Sequence, residues 1–67
     1  MKAIKTREVV RFLEAQGWSI KRQNGRHDVW GSPDGKQVFP LARHKECSPG
    51  VIRQIDKIFP KIPDNWK

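Results

Sequence analysis

The chain has a single cysteine, few acidic residues and no long hydrophobic run. Its one thiol, Cys47, excludes an internal disulfide and favours a reducing compartment. No apolar stretch reaches the roughly 20 residues that a membrane-spanning helix needs. Residues 1–5 also lack the apolar core of a secretory signal. We therefore expect a cytoplasmic protein that does not contact a membrane.

Acidic residues are outnumbered by basic ones. The 14 Lys and Arg residues against 7 Asp and Glu residues give a formal net charge of +7 in a chain of 67 residues. Such an excess favours a polyanionic partner, because each neutralised phosphate releases condensed counterions. Charge alone is equally consistent with an acidic protein partner or a solvated surface. The length allows a single domain, residues 1–67, with an irregular tail from about residue 60.

Two segments carry apolar residues at helical spacing. The first covers residues 6–16, with Thr6 as the expected N-cap. Gly17 then supplies a left-handed C-cap, and Trp18 packs back onto the helix. The second helix follows the N-cap Ser48 and a proline at its first position, has an isoleucine-rich face, and ends at the prolines beyond residue 59.

Three short strand-like segments lie between the helices, at residues 18–22, 26–30 and 36–41. The turn sequences that separate them, Gln23-Asn24-Gly25 and Ser32-Pro33-Asp34-Gly35, predict an antiparallel meander. Pro40 cannot donate a ladder hydrogen bond and predicts an edge strand. Residues 42–47 are interpreted as a polar, mostly basic connection. The sequence thus predicts an α+β fold, with two helices on one face of a three-stranded antiparallel sheet and the other face open.

His27 begins the middle strand, beside a cationic hairpin that contains Lys21, Arg22 and Arg26. Such a hairpin can hold a phosphodiester while a neutral imidazole removes a proton from a ribose 2′-hydroxyl. A lone strand histidine is more often a surface or packing residue, so the residues alone leave both interpretations open. Asp28 is not expected to orient His27, because consecutive strand residues point to opposite faces.

The alternation of side chains along this strand does not decide which face of the sheet carries Trp30. If Val29 faces the helices, Trp30 lies on the open face of the sheet, where its indole can stack on a base. Cross-strand packing of Trp30 is the other interpretation.

A second basic cluster, Arg43-His44-Lys45, precedes the second helix and is either a phosphate contact or a solvated loop. The basic residues around the first helix are a weaker indication of binding, because that helix has a polar face in any case. They are Lys2, Lys5, Arg7 and Arg11.

We expect neither a metal ion nor another cofactor. His44 and Cys47 are three residues apart, with His27 as a third possible ligand, but structural zinc requires four ligands and usually cysteine pairs. Cys47 is interpreted as an incidental thiol rather than a nucleophile.

Three motifs in this element order resemble the HicA toxins of bacterial and archaeal toxin–antitoxin pairs. They are Gly25-Arg26-His27-Asp28-Val29-Trp30, then Phe39-Pro40-Leu41-Ala42-Arg43-His44-Lys45-Glu46, then Gly50 opening the isoleucine-rich helix. The resemblance covers residues 6 to about 59. It implies a fold like that of double-stranded-RNA-binding domains. It also implies a metal-independent mRNA interferase, silenced by a HicB-type antitoxin that covers the site.

The family motif of a glycine, one residue and a catalytic histidine maps onto Gly25, Arg26 and His27. Serine often stands in the middle of this motif and a second histidine often follows it, where this chain has Arg26 and Asp28. Our leading hypothesis is an endoribonuclease with His27 as general base and with RNA contacts from Lys21, Arg22, Arg26, Trp30, Arg43, His44 and Lys45. The alternatives are a non-catalytic double-stranded-RNA-binding module and a domain that binds an acidic protein.

Overall fold

The computed structural model of the protein describes all residues, 1–67. The elements in chain order are β1 (Ile4–Lys5), α1 (Thr6–Ala15), β2 (Ser19–Asn24), β3 (His27–Gly31), β4 (Val38–Ala42), β5 (Glu46–Cys47), α2 (Pro49–Ile58) and a 3₁₀ turn (Asp64–Trp66). Strands β2, β3 and β4 form an antiparallel sheet in that order, and β1 pairs with β5 separately. The predicted α+β fold with a three-stranded meander is confirmed, and it agrees with a fold like that of double-stranded-RNA-binding domains.

The C-terminal end of α1 has the predicted cap. Gly17 has a φ of 83°, in the left-handed region that glycine adopts without strain. Its N–H donates to the Glu14 carbonyl oxygen, and the Trp18 N–H donates to the Leu13 carbonyl oxygen, both at 3.0 Å. These two bonds form a Schellman motif, which turns Trp18 into the core.

The expected N-cap of α1 is wrong. Thr6 is the first residue of the helix, and Lys5 occupies the cap position without a side-chain hydrogen bond. The Thr6 hydroxyl instead donates to the His44 carbonyl oxygen, a contact 38 residues away in the chain. Local propensity does not reveal such a partner, because it arises only when β1 and β5 come together.

The strand pattern was predicted, but the boundaries differ. β2 extends to Asn24, so only Gly25 and Arg26 form the first hairpin turn. The φ of Gly25 is 62°, and no residue other than glycine has a positive φ, which is the pattern of a type II′ turn. Pro40 lies in the edge strand β4, as predicted. Residues 42–47 are not only a connection, since β5 pairs with β1 there.

Both helices cover the same face of the three-stranded sheet. Thirteen buried side chains form one cluster, and the sheet contributes Trp30, Phe39 and Leu41 from its inner face. The helices contribute fully buried side chains from their apolar faces, among them Val9, Leu13, Ile52 and Ile55. Neither helix has the length and apolar character that crossing a membrane requires.

Trp30 lies in the core, so cross-strand packing is the correct one of its two interpretations, and its expected RNA contact is wrong. Only 3% of the residue is exposed, and it pairs with Phe39, another core residue. Its indole therefore cannot stack on a base in this conformation. Because side chains alternate along a strand, Val29 and His27 lie on the open face instead.

The tail beyond residue 59 packs on the core and is not irregular throughout. Ile62 and Trp66 are buried, and the 3₁₀ turn precedes the last residue. The Trp66 ring lies 5.1 Å from that of Phe12, which itself meets Phe59 at 5.0 Å. The tail thus completes an aromatic cluster that joins α1 to the end of α2.

Candidate functional site

His27 is held at one end of the open face of the sheet. It is the first residue of β3, opposite Asn24 of β2 and Ala42 of β4. The two-residue turn fixes its backbone, and its side chain is exposed. The imidazole makes no hydrogen bond to another side chain or to the backbone. Both ring nitrogens are therefore free to meet a substrate.

A β-bulge in β2 places two cations on the same face as His27. The pairing shifts between Ile20 and Arg22, which leaves Lys21 as the extra residue. Arg22 pairs with Val29, so its side chain lies on the open face.

The aliphatic part of the Lys21 side chain also lies on this face, over Gly31. A Cβ added at Gly31 would stand 2.5 Å from the Lys21 Cγ and 2.8 Å from its Cε. Gly31 is two residues from Val29 and shares its face, so Lys21 and Arg22 lie on one side although they are consecutive. Strict alternation does not allow this arrangement, and the glycine leaves room for the lysine stem.

Asp28 faces away from His27, as predicted, and pairs with Arg43. The Arg43 Nε and Nη2 atoms lie 2.9 and 2.8 Å from the same carboxylate oxygen, Oδ1. The Asp28 side chain is 18% exposed and that of Arg43 is 47% exposed. This ion pair holds Arg43 on the side of the sheet that carries the helices.

Arg26 belongs to the hairpin turn and connects the two basic clusters. Its carbonyl oxygen accepts a hydrogen bond of 3.1 Å from the Arg43 N–H, which extends the β3–β4 pairing to the turn. A shallow concavity beside it is lined by Gly25, Arg26, Arg43 and His44. Arg26 is thus next to His27 in the chain and next to the second cluster in space.

The second basic cluster is anchored against the start of α1. The Thr6 N–H donates to the Lys45 carbonyl oxygen at 2.9 Å, in addition to the bond from its hydroxyl to His44. A cleft of about 660 Å³ lies between the two segments. We call it the basic cleft; its lining residues are Lys5, Thr6, Arg7, Arg43, His44, Lys45 and Glu46.

Lys5 and Arg7 had only a weak indication in the sequence. They join the second cluster because Lys5 in β1 pairs with Glu46 in β5. A two-residue strand has too little pattern to be recognised, so this juxtaposition had no local signal.

Cys47 is buried in β5, and its sulfur lies 3.5 Å from the Thr6 hydroxyl oxygen. Burial raises the pKa of the thiol, and the contact with Thr6 lowers it by less. A buried, protonated thiol is a poor nucleophile. The structure contains no group of three or more His, Cys, Asp or Glu side chains placed to hold a metal ion.

Residues 6–59 match a protein-family model described as "HicA toxin of bacterial toxin-antitoxin". The match includes both helices, the three-stranded sheet and the hairpin that carries the histidine. Among curated proteins and solved structures, none matches the chain.

Proposed function

Because the chain belongs to the HicA family of bacterial toxin–antitoxin toxins, we propose that it is a metal-independent endoribonuclease that cleaves messenger RNA. The observation that carries the proposal is the shared face of His27, Lys21 and Arg22. A base without nearby cations would leave the charge of the reacting phosphate uncompensated. The bulge puts both cations on the face of the exposed imidazole, with Arg22 opposite Val29 and Lys21 farther along the strand at Gly31.

His27 is the proposed general base. Its neutral imidazole accepts the proton of a ribose 2′-hydroxyl, and the 2′ oxygen then attacks the adjacent phosphorus. The new bond joins O2′ to phosphorus, and the bond from phosphorus to the 5′ oxygen breaks. The products are a 2′,3′-cyclic phosphate and a 5′-hydroxyl, whose oxygen takes its proton from water, while His27 returns the proton it accepted to the solvent. No metal ion enters this reaction.

Arg22 is proposed to stabilise the negative charge that builds up on the phosphorane oxygens, and Lys21, farther along the same face at Gly31, is proposed to contact the RNA backbone. Arg26 is proposed to hold a neighbouring phosphate, because it stands in the turn directly before His27. Arg43, His44 and Lys45 remain proposed RNA contacts on the far side of the hairpin. Trp30 is not among them, because its ring is buried.

The family implies a cognate antitoxin. We propose that this partner is of the HicB type and that it covers the open face around His27. Val38, at 63% exposure, is the most exposed large apolar side chain of the chain and lies in β4. It pairs with Gly31 and so lies on the open face, where a protein partner can bury it.

The test compares His27→Ala with wild type in two assays, growth after induction and cleavage of purified RNA in the presence of EDTA. Loss of a general base lowers a rate by about 10²- to 10⁴-fold. We expect His27→Ala to lose growth arrest and cleavage while keeping the circular dichroism spectrum and the unfolding midpoint of wild type. Product ends from wild type should be 2′,3′-cyclic phosphates.

His44→Ala is the matched control, since it removes the other histidine of the chain. We expect it to raise KM and to leave kcat near the wild-type value, because His44 is proposed only to contact RNA. A folded His27→Ala protein that still cleaves RNA would refute the assignment. RNA binding by wild type without cleavage at any enzyme concentration would favour the non-catalytic binding module.

A further inference from the structure

The basic cleft carries a concentrated positive charge away from His27. Four Lys and Arg side chains line it, against the single acid Glu46. The cleft lies on the helix-bearing side of the sheet, because Arg43 there pairs with Asp28, whose side chain points away from His27. The chemistry proposed for the open face does not use this surface.

Most of these cations are free to bind a ligand. The only ion pair in the structure joins Arg43 to Asp28. Lys5, Arg7 and Lys45 are exposed and form no ion pair. An incoming anion therefore gains their charge without breaking an existing salt bridge.

The lining indicates what kind of partner fits. No hydrophobic residue lines the basic cleft. The buried centre of a protein–protein interface is apolar and rich in aromatic residues, whereas nucleic-acid backbones are met mainly by Lys, Arg and polar groups. A phosphodiester backbone fits this surface better than a folded protein does.

We propose that the basic cleft binds backbone phosphates of the RNA substrate, as a second contact surface on the side of the sheet opposite His27. This inference rests on the proposed function as an RNA-cleaving toxin. The cleft continues to the hairpin turn, because Arg43 and His44 line both the cleft and the concavity at Gly25 and Arg26, and His27 follows Arg26 directly in the chain. One RNA strand thus passes around the hairpin turn from the open face to the cleft.

Binding in the basic cleft is separable from cleavage. Its side chains approach phosphates that are not being transferred, and their interaction is the same in the ground state and the transition state. Such uniform binding changes KM and leaves kcat unchanged. Removing these cations should therefore weaken RNA binding without slowing the cleavage of bound RNA.

The experiment uses the full-length chain and a triple variant, Lys5→Gln/Arg7→Gln/Lys45→Gln. The control triple, Lys36→Gln/Arg53→Gln/Lys61→Gln, removes the same number of Lys and Arg charges from exposed positions elsewhere. Binding is measured with a 2′-O-methyl oligoribonucleotide, which lacks the attacking hydroxyl, over a range of salt concentrations. Cleavage of the unmodified RNA gives kcat and KM.

Each phosphate contact on a single strand contributes about 0.7 to the slope of log K against log salt concentration. Three lost contacts should reduce the slope by about 2 and weaken binding roughly a hundredfold at 0.1 M salt. The control triple should show a much smaller change. A Lys5→Arg/Lys45→Arg variant keeps both charges and should bind like wild type. Thermal unfolding of each variant confirms that it is folded.

Equal weakening by the two triples would overturn the proposal, because it would show an effect of net charge alone. Unchanged RNA binding together with lost antitoxin binding would also overturn it and assign the cleft to the protein partner. If wild type binds RNA through the cleft but cleaves nothing, the cleft stands and the proposed catalysis fails. If wild type cleaves RNA and the cleft triple binds normally, the catalysis stands and the cleft proposal fails.

Discussion

Replacing Trp66 with alanine removes the largest side chain that the C-terminal tail contributes to the core. The residue is 3% exposed, and its ring meets that of Phe12 at 5.1 Å with an interplanar angle of 61°. Phe12 also contacts Phe59 at the end of α2. We expect Trp66→Ala to destabilise the whole domain, because the aromatic cluster that joins the two helices loses one of its members.

The size of the effect follows from the burial. A buried tryptophan removes about 150–250 Å² from water, which corresponds to about 4–6 kcal/mol at 25 cal/mol per Å². Partial compaction of the unfolded chain reduces this value, and measured Trp→Ala costs are about 3–5 kcal/mol. A domain of this length has a total stability of about 3–10 kcal/mol. Trp66→Ala should therefore lose from about a third of the stability to nearly all of it.

The assay is urea unfolding followed by far-ultraviolet circular dichroism, because the variant also lacks one fluorescent tryptophan. Asn65→Ala is the matched control, since Asn65 is exposed in the same 3₁₀ turn and should change stability by no more than about 0.5 kcal/mol. Trp66→Phe keeps an aromatic ring and should lie between alanine and wild type. A double-mutant cycle with Phe12→Leu should give a coupling of about 0.5–1.5 kcal/mol.

A free energy of unfolding for Trp66→Ala within about 1 kcal/mol of wild type would refute this reasoning. It would mean that the tail adds little to the core and that residues 6–59 hold the fold alone. A drop as large for Asn65→Ala as for Trp66→Ala would equally contradict it, because the loss would then come from the backbone of the turn.

Two further predictions concern contacts around the basic cleft. A double-mutant cycle of Asp28→Asn with Arg43→Gln should give a coupling of about 0.2–1 kcal/mol in unfolding free energy, because the pair is partly exposed. This coupling should shrink in 1 M salt, and a coupling unchanged by salt would contradict the ion pair. Cys47 should react slowly with iodoacetamide at pH 8 in the native protein and rapidly in urea, because burial raises the pKa of its thiol and shifts the rise in thiolate to higher pH. Rapid native labelling would contradict the pairing of β1 with β5.

Features that depend on neighbouring residues could be predicted from the sequence. Gly17 caps α1 as expected, and Ser48 caps α2, where its hydroxyl accepts a hydrogen bond of 3.4 Å from the Val51 N–H. Gly25 lies in the hairpin turn as predicted, although that turn is Gly25-Arg26 rather than Gln23-Asn24-Gly25, and Pro40 lies at the sheet edge. Each of these signals is a backbone requirement that one or two residues meet by themselves.

Features that depend on contacts between residues far apart in the chain could not be predicted from the sequence. Alternation in β3 allowed Trp30 to face either way, and only the packing of both helices on one side decided that it faces inward. The bulge at Lys21 has no sequence signature, yet it brings that residue to the face of His27. Thr6 has the chemistry of an N-cap, but its hydroxyl donates to the carbonyl oxygen of His44, in the segment before β5.

The sequence by itself determined the fold class, the helices, the meander and the position of His27 beside a cationic hairpin, because these depend on spacing, turn chemistry and charge along short stretches of chain. The tertiary structure alone decided on which face of the sheet each side chain lies. It placed Lys21 and Arg22 on the same face of the sheet as His27, and it joined Lys5 and Arg7 to the second basic cluster. These placements come from a bulge and from a pairing 43 residues apart between Ile4 and Cys47. Contacts of that range leave no periodic pattern along the chain.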